Sequence, residues 1–110
     1  MIRIALHGAS GRMGKAVEGL LDGRFTVVAR LDADSAEAEY QTALNACDLV
    51  IDFSTAQAVD KLYSALELTP RALVSGTTGM SDSQMRRLRA LAEAAPVLWA
   101  SNMSLGVMVL

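Results

Sequence analysis

The sequence predicts an α/β domain built on a doubly wound parallel sheet with helices on both faces. Short apolar runs rich in Val, Ile and Leu alternate along the 110-residue chain with stretches of helical periodicity. The apolar runs are nearly continuous, which is typical of strands whose two faces are both covered. Such alternation requires right-handed crossovers between strands, and therefore a parallel sheet.

Five strands are predicted from the apolar runs, at Ile2–Leu6, Phe25–Leu31, Leu49–Phe53, Ala72–Ser75 and Val97–Ala100. Each run has the length of an ordinary strand and is followed by polar or glycine-containing residues. We expect a strand order of about 3-2-1-4-5 and a reasonable hydrophobic core, because four helices cover both faces of the sheet.

Four helices are predicted between the strands, and three of them have an apolar stripe at helical spacing. The stripes consist of Met13, Ala16, Val17, Leu20 and Leu21, of Val59, Leu62, Tyr63 and Leu66, and of Met85, Leu88, Leu91, Ala92 and Ala95. Ser81 and Gln84 form a capping box at the start of the last helix. A weaker helix is predicted over residues 35–46.

Composition and charge exclude several classes of protein. Apolar residues make up 52% of the chain and charged residues 20%, which excludes intrinsic disorder. Polar residues interrupt every apolar run below membrane-spanning length, so no membrane partner is expected. The net charge is −2 with scattered cations, so no nucleic-acid partner is expected. A single cysteine, Cys47, and a single histidine, His7, supply neither a disulfide nor a metal site.

A glycine-rich loop, GASGRMG, lies between the first predicted strand and the first helix. Gly8 allows the tight turn, Gly11 lets a diphosphate approach the backbone, and Gly14 lets the helix pack closely. The amides of Ser10–Met13 then point outward at the positive end of the helix dipole, where Arg12 can add a phosphate contact. The pattern predicts a Rossmann-type nucleotide site, and the alternative is a glycine-rich turn without a ligand.

An acidic residue in the expected position supports a dinucleotide. Asp32 follows the strand Phe25–Leu31, 18 residues after Gly14, where a carboxylate accepts hydrogen bonds from an adenosine ribose. Ala33 offers no cation for an extra phosphate, and Arg30 shares the face of Asp32 on its strand. We therefore expect NADH or NADPH as cofactor, with NADH favoured. The alternative is that Asp32 only ends the strand and starts a turn.

Three further segments follow predicted strands, namely IDFS at residues 51–54, SGTTG at 75–79 and ASNMS at 100–104. In this order, together with GASGRMG, they resemble the dihydrodipicolinate reductase family, the 4-hydroxy-tetrahydrodipicolinate reductases of bacterial lysine and diaminopimelate synthesis. The resemblance covers the whole chain from Met1 to Leu110. Each motif is modest alone, whereas the combination is highly specific.

The resemblance implies where a cofactor would bind. The glycine loop would hold the diphosphate and Asp32 the adenosine ribose, while Gly76 and the residues around it would line the nicotinamide end. The implied cofactor-binding residues are Gly8, Ala9, Ser10, Gly11, Arg12, Met13, Asp32, Phe53, Gly76, Thr77, Thr78, Ala100, Ser101, Asn102 and Met103. No catalytic residue is expected in this chain. Ala33 and Met103 depart from the family, which often has arginine and phenylalanine there.

Structural alternatives stay open for several of these residues. Phe53 could be a core residue at a strand end, Thr77 and Thr78 could cap a turn, and Asn102 could stabilise another. His7 is interpreted as structural, at the end of a core strand. Cys47 is interpreted as a small buried residue, without basic neighbours that would activate a thiolate.

The resemblance also implies a reaction and a domain organisation. The family is an oxidoreductase of the cytoplasm that reduces 4-hydroxy-tetrahydrodipicolinate to tetrahydrodipicolinate with NAD(P)H. Residues 1–103 would be the NAD(P)-binding domain, and residues 104–110 the start of a connection to an absent domain. That domain would bind the dicarboxylate substrate and form a homotetramer, so the chain alone is expected to be inactive. The alternatives are a free-standing NAD(P)-binding sensor or interaction module, and a reductase of another small substrate.

Overall fold

Five parallel strands and four helices alternate along residues 1–100, the part of the chain that the computed structural model describes. The strands are β1 Ile2–His7, β2 Phe25–Leu31, β3 Leu49–Asp52, β4 Ala72–Ser75 and β5 Val97–Trp99. The helices are α1 Arg12–Leu20, α2 Glu37–Ala46, α3 Val59–Leu68 and α4 Asp82–Ala94. The predicted α/β class is confirmed, and every predicted strand lies within one residue of the observed bounds.

The strand order is β2-β1-β3-β4-β5, which corrects the expected order of about 3-2-1-4-5 in the position of β3. β3 lies between β1 and β4 instead of outside β2. Val50 and Asp52 of β3 are 0% exposed, which requires cover on every side, whereas Val28 of β2 is 40% exposed, as befits an edge strand. The strand order therefore reverses between β1 and β3, where ligands bind in open parallel sheets.

The two faces of the sheet are covered unequally. Helices α2, α3 and α4 pack on one face around a large core that includes Tyr40, Leu44, Leu62, Leu66 and Leu88. Helix α1 packs on the other face, where Val17 meets Ile4, Leu6 and Ile51. No helix within residues 1–100 is long and apolar enough to cross a membrane.

Helix α1 contacts the sheet through a narrower surface than its apolar stripe predicts. Gly14 and Val17 are buried, but Met13 is 38% and Leu20 62% exposed. Among the described residues α1 is the single helix on its face of the sheet, so no neighbouring helix covers its flanks. The predicted stripe was therefore only partly correct as a list of core residues.

The capping box at the start of α4 is present as predicted. Ser81 Oγ accepts a hydrogen bond from the Gln84 amide at 3.1 Å, and Gln84 Oε1 accepts one from the Ser81 amide at 2.9 Å. We expect Ser81→Ala to lower the free energy of unfolding by about 1 kcal/mol, because one helix amide loses its partner. Urea denaturation measures the change. The control is Ser83→Ala, at an exposed site two residues later in the chain. An equal loss of stability in both variants would contradict the prediction.

Candidate functional site

A cavity of about 350 Å³ opens at the carboxyl edge of the sheet, where the strand order reverses. It lies between the glycine loop after β1, the turn after β2 and the loop after β3. Its lining consists of Gly8, Ser10, Gly11, Asp32, Ala33, Asp34, Phe53, Ser54, Thr55 and Ala58. The cavity therefore brings together residues from three of the segments that the sequence singled out.

The glycine loop is built by two glycines that the fold itself requires. Gly8 has a φ of +84°, and a Cβ there would lie 2.8 Å from the Phe53 carbonyl oxygen. A Cβ on Gly14 would lie 2.3 Å from the Gly8 carbonyl oxygen. At Gly11, by contrast, a Cβ would meet the Gly8 oxygen at 3.4 Å, an ordinary contact. The space beside Gly11 is thus not used by the protein and is open to a ligand.

The N-terminus of α1 differs from the other helix N-termini in its charge. The first turns of α2, α3 and α4 contain the acidic residues Glu37, Asp60 and Asp82 among others, whereas the first turn of α1 has none and begins with Arg12. Its N-cap residue, Gly11, has no side chain to accept from the first amides. Uncapped amides, the helix dipole and a guanidinium together favour an anion such as a diphosphate.

Asp32 connects the turn after β2 to the tip of the glycine loop. Its Oδ1 accepts hydrogen bonds from the Ser10 amide at 3.1 Å and from Ser10 Oγ at 2.8 Å. Its Oδ2 accepts no hydrogen bond from the described residues, and Asp32 lines the cavity. The carboxylate therefore holds the loop with one oxygen and leaves the other as an acceptor at the cavity.

The charges around this end of the cavity are predominantly negative. Asp34 lines the cavity beside Asp32. Arg30 forms an ion pair with Glu18 of α1, and Lys61 Nζ donates to the carbonyl oxygens of Ala33 and Ser35 at 3.2 and 3.3 Å. Arg30 is thus neutralised by Glu18, Lys61 is held against the backbone of the turn, and two carboxylates line the cavity.

The segment after β4 lies at the same edge of the sheet, where Gly76 packs against Phe53. A Cβ on Gly76 would lie 2.4 Å from Phe53 Cε1, so the ring packs directly on this glycine. Thr77 is 1% exposed and its Oγ1 donates to Asp52 Oδ2 at 2.7 Å, while its carbonyl oxygen accepts from Trp99 Nε1 at 2.9 Å. Thr78 is exposed. Of the two predicted hydroxyls, only that of Thr78 faces solvent, and Thr77 stabilises the turn from within.

Asp52 is the residue at this edge that sequence reasoning missed. Its carboxylate is 0% exposed and accepts hydrogen bonds from four side chains, those of His7, Ser54, Ser75 and Thr77. Burial alone raises the pKa of Asp52, but these hydrogen bonds outweigh it, so its pKa lies below the ordinary value. An acid at the end of the apolar run LVID was the available signal, because a buried carboxylate requires partners.

Of the predicted cofactor-binding residues at positions 100–103, only Ala100 lies within the part of the chain that the structure describes. The Ala100 amide donates to the Ser75 carbonyl oxygen at 3.2 Å, which places Ala100 beside the end of β4. Ser101, Asn102 and Met103, with residues 104–110, lie outside the described residues. Within residues 1–100, no group of three or more His, Cys, Asp or Glu side chains is arranged to hold a metal ion.

Comparison with known sequences identifies one family. The family model described as dihydrodipicolinate reductase, N-terminus, matches residues 2–103. A 4-hydroxy-tetrahydrodipicolinate reductase of Campylobacter lari is 36% identical over 110 residues, covering 100% of this chain and 45% of the relative. One of Sulfurimonas denitrificans is 37% identical over 122 residues, covering 100% and 48%. The chain thus spans about half the length of these relatives.

Solved structures show the same fold. A dipicolinate-bound dihydrodipicolinate reductase from Paenisporosarcina sp. TG-14 superposes with a TM-score of 0.74 at 22% identity, over 99% of this chain and 50% of that one. The capsular polysaccharide assembling protein CapF of Staphylococcus aureus superposes with a TM-score of 0.56 at 21% identity, over 87% and 29%. At these identities the superpositions establish the architecture alone.

Proposed function

The chain belongs to the family of dihydrodipicolinate reductase N-terminal domains, and we propose that it binds a nicotinamide dinucleotide along the carboxyl edge of its sheet. The observation that carries this proposal is the pairing of an uncapped, acid-free helix N-terminus with Asp32 on one cavity. The helix N-terminus would bind a diphosphate and the Asp32 carboxylate an adenosine ribose. Both lie at the point where the strand order reverses.

Each part of the cofactor has candidate residues. The amides and side chains of the loop Gly8–Met13 would hold the diphosphate, with space beside Gly11. The free Oδ2 of Asp32 would accept from the adenosine ribose. Phe53, Gly76 and the exposed hydroxyl of Thr78 would line the nicotinamide end. Thr77 would act there by holding the turn in place, since its hydroxyl is engaged by Asp52 and its carbonyl oxygen by Trp99. When bound, the cofactor supplies a hydride.

We propose NADH as the preferred cofactor. The 2′-phosphate of NADPH would approach the turn after β2, where Asp32 and Asp34 line the cavity. The two carboxylates repel that phosphate. Of the side chains that could offset them, Arg30 is paired with Glu18, Ala33 is apolar, and Lys61 Nζ donates to the Ala33 and Ser35 carbonyl oxygens. The ribose hydroxyls of NADH, in contrast, are neutral donors that suit a carboxylate.

For the whole enzyme to which such a domain contributes, we propose reduction of 4-hydroxy-tetrahydrodipicolinate to tetrahydrodipicolinate. Its relatives of known sequence bear the name of that reductase, and this chain matches about half their length. Residues 1–103 would form the cofactor-binding domain and residues 104–110 would lead toward the part that binds the dicarboxylate and forms the tetramer. A free-standing sensor module finds no support among these relatives.

Titration of the 110-residue chain with NADH and NADPH, followed by Trp99 fluorescence, tests the proposal. Trp99 Nε1 contacts the carbonyl of Thr77, so its emission reports on the nicotinamide end. We expect saturable binding, tighter for NADH, without turnover of substrate by the chain alone. Gly11→Ala should weaken binding about tenfold by blocking the diphosphate, while leaving stability nearly unchanged since its Cβ meets only an ordinary contact.

Two results would contradict the proposal. If neither nucleotide binds, the glycine loop is a structural turn. If Gly11→Ala binds NADH as tightly as the unaltered chain, the diphosphate lies elsewhere.

A further inference from the structure

A continuous line of buried hydrogen bonds runs beneath the proposed cofactor site. His7 Nδ1 lies 2.9 Å from Asp52 Oδ1, and His7 Nε2 lies 2.6 Å from the Tyr40 hydroxyl oxygen. Tyr40 in turn donates to the Asp32 carbonyl oxygen at 3.1 Å, and Asp52 Oδ2 accepts from Thr77 at 2.7 Å. The line therefore joins the turn that carries Asp32 to the segment that carries Thr77.

The members of this line are as buried as the core. His7, Tyr40 and Thr77 are each 1% exposed and Asp52 is 0% exposed. No buried side-chain nitrogen or oxygen among the described residues lacks a partner. Such fully satisfied polar networks are rigid and geometrically specific, because any misalignment leaves a buried group unpaired.

The tyrosine hydroxyl is the link between the histidine and the turn after β2. An ionised carboxylate can only accept, so His7 Nδ1 carries a proton toward Asp52. The Tyr40 hydroxyl oxygen lies within hydrogen-bond distance of two groups, His7 Nε2 at 2.6 Å and the Asp32 carbonyl oxygen at 3.1 Å. Tyr40 therefore bridges the histidine to the backbone of Asp32.

The groups around the histidine are consistent with this arrangement. The titratable side chains that face it are Asp52 of β3 and Tyr40 of α2, with Tyr63 of α3 near Asp52. Burial and the neighbouring Asp52, Asp32 and Asp34 raise the pKa of Tyr40 to about 12, so its hydroxyl keeps its proton at neutral pH. The histidine is thus enclosed between one carboxylate and one hydroxyl group.

We propose that the buried pair of His7 and Asp52, with Tyr40, positions both ends of the nucleotide site without touching the ligand. Asp52 holds the Thr77 turn against the end of β3, and His7 transmits its position through Tyr40 to the backbone of Asp32. This inference rests on the proposed nucleotide site. It assigns positioning roles to three residues that are absent from the predicted set of cofactor-binding residues.

Two buried tyrosines provide a matched pair of variants. Tyr40→Phe removes the hydroxyl that joins His7 to Asp32, whereas Tyr63→Phe removes a hydroxyl that contacts Met80 Sδ at 3.1 Å. Both side chains are 1% exposed or less, so the two variants make comparable changes in the core. NADH binding is measured by titration. The protonation of the ring nitrogens is read by ¹⁵N NMR, and the chain has a single histidine to observe.

In the unaltered chain without nucleotide, we expect His7 Nδ1 to carry a proton that is held toward Asp52. Tyr40→Phe should shift the ¹⁵N resonance of His7 Nε2, which loses its hydrogen-bond partner, and should weaken NADH binding about fivefold, the loss expected for one hydrogen bond. Tyr63→Phe should change neither. Asp52→Asn, if it folds, should weaken binding more than Tyr40→Phe does.

The outcomes separate this inference from the function on which it rests. An Nε2 resonance that Tyr40→Phe leaves unmoved, or NADH binding by Tyr40→Phe equal to that of Tyr63→Phe, overturns the positioning role while the site itself stands. Failure of the unaltered chain to bind NADH overturns the proposed function and the positioning role together. In that case the histidine spectrum still shows whether the hydrogen bond between His7 and Tyr40 exists.

Discussion

Replacing Gly14 by alanine is expected to lower the free energy of unfolding by about 3 kcal/mol, the upper range for overpacking a tight contact. The new Cβ would lie 2.3 Å from the Gly8 carbonyl oxygen and 2.9 Å from the Ala9 Cα. Both are backbone atoms of the glycine loop, so no side-chain rotation can relieve the contact. Helix α1 would have to move away from the turn, and Val17 would lose its packing on the sheet.

Gly19→Ala is the control on the same helix. A Cβ on Gly19 meets no atom within 4 Å, and alanine forms helices better than glycine. The free energy of unfolding of this variant should therefore rise by about 0.5–1 kcal/mol. Urea denaturation of the three proteins measures both changes. The prediction is wrong if Gly14→Ala is as stable as the unaltered chain, which would mean that α1 does not approach the loop this closely.

Replacing Asp32 by alanine is expected to weaken NADH binding about thirtyfold, because a carboxylate that accepts from ribose contributes about 2 kcal/mol. NADPH binding should weaken less or improve, since the same change removes a charge that repels the 2′-phosphate. The preference for NADH should therefore narrow or reverse. Parallel titrations of both nucleotides with the variant and the unaltered chain measure the effect.

Two further variants separate the roles of Asp32. Ser10→Ala removes one of the two hydrogen bonds to Asp32 Oδ1 but keeps the carboxylate, so it should weaken both nucleotides alike. Asp34→Ala removes a neighbouring charge from the same cavity, so its main effect should be tighter binding of NADPH. If Asp32→Ala weakens the binding of NADH and of NADPH equally, this residue acts by holding the loop and not by selecting the cofactor.

Much of the fold was predictable because its signals are local. Strand bounds follow from apolar runs, and helix bounds follow from periodicity and from caps such as Ser81 with Gln84. The glycine loop was equally predictable, since a strand followed by this glycine spacing needs no distant partner to be recognised. The structure explains the spacing, because Gly8 and Gly14 are required by backbone contacts and Gly11 leaves space.

The predicted site residues were less well specified than the fold. Thr77 and Thr78 are adjacent in sequence, yet one is buried against Asp52 and the other is exposed. Asp52 itself went unnoticed, because an acid at a strand end has no characteristic spacing. Its partners are His7 in β1 and Thr77 in the loop after β4, which are 45 and 25 residues away along the chain.

The α/β class could be predicted from the amino-acid sequence, as could the bounds of the strands and the glycine-rich start of α1, since each depends on residues that are neighbours along the chain. The three-dimensional structure was needed to show that β3 lies inside the sheet and that a buried line of hydrogen bonds joins Asp32 to Thr77. Strand order and buried hydrogen bonds depend on contacts between residues that are distant in sequence. The periodicity of apolar residues does not predict such contacts, because it shows which face of a helix or strand is apolar and not what covers that face.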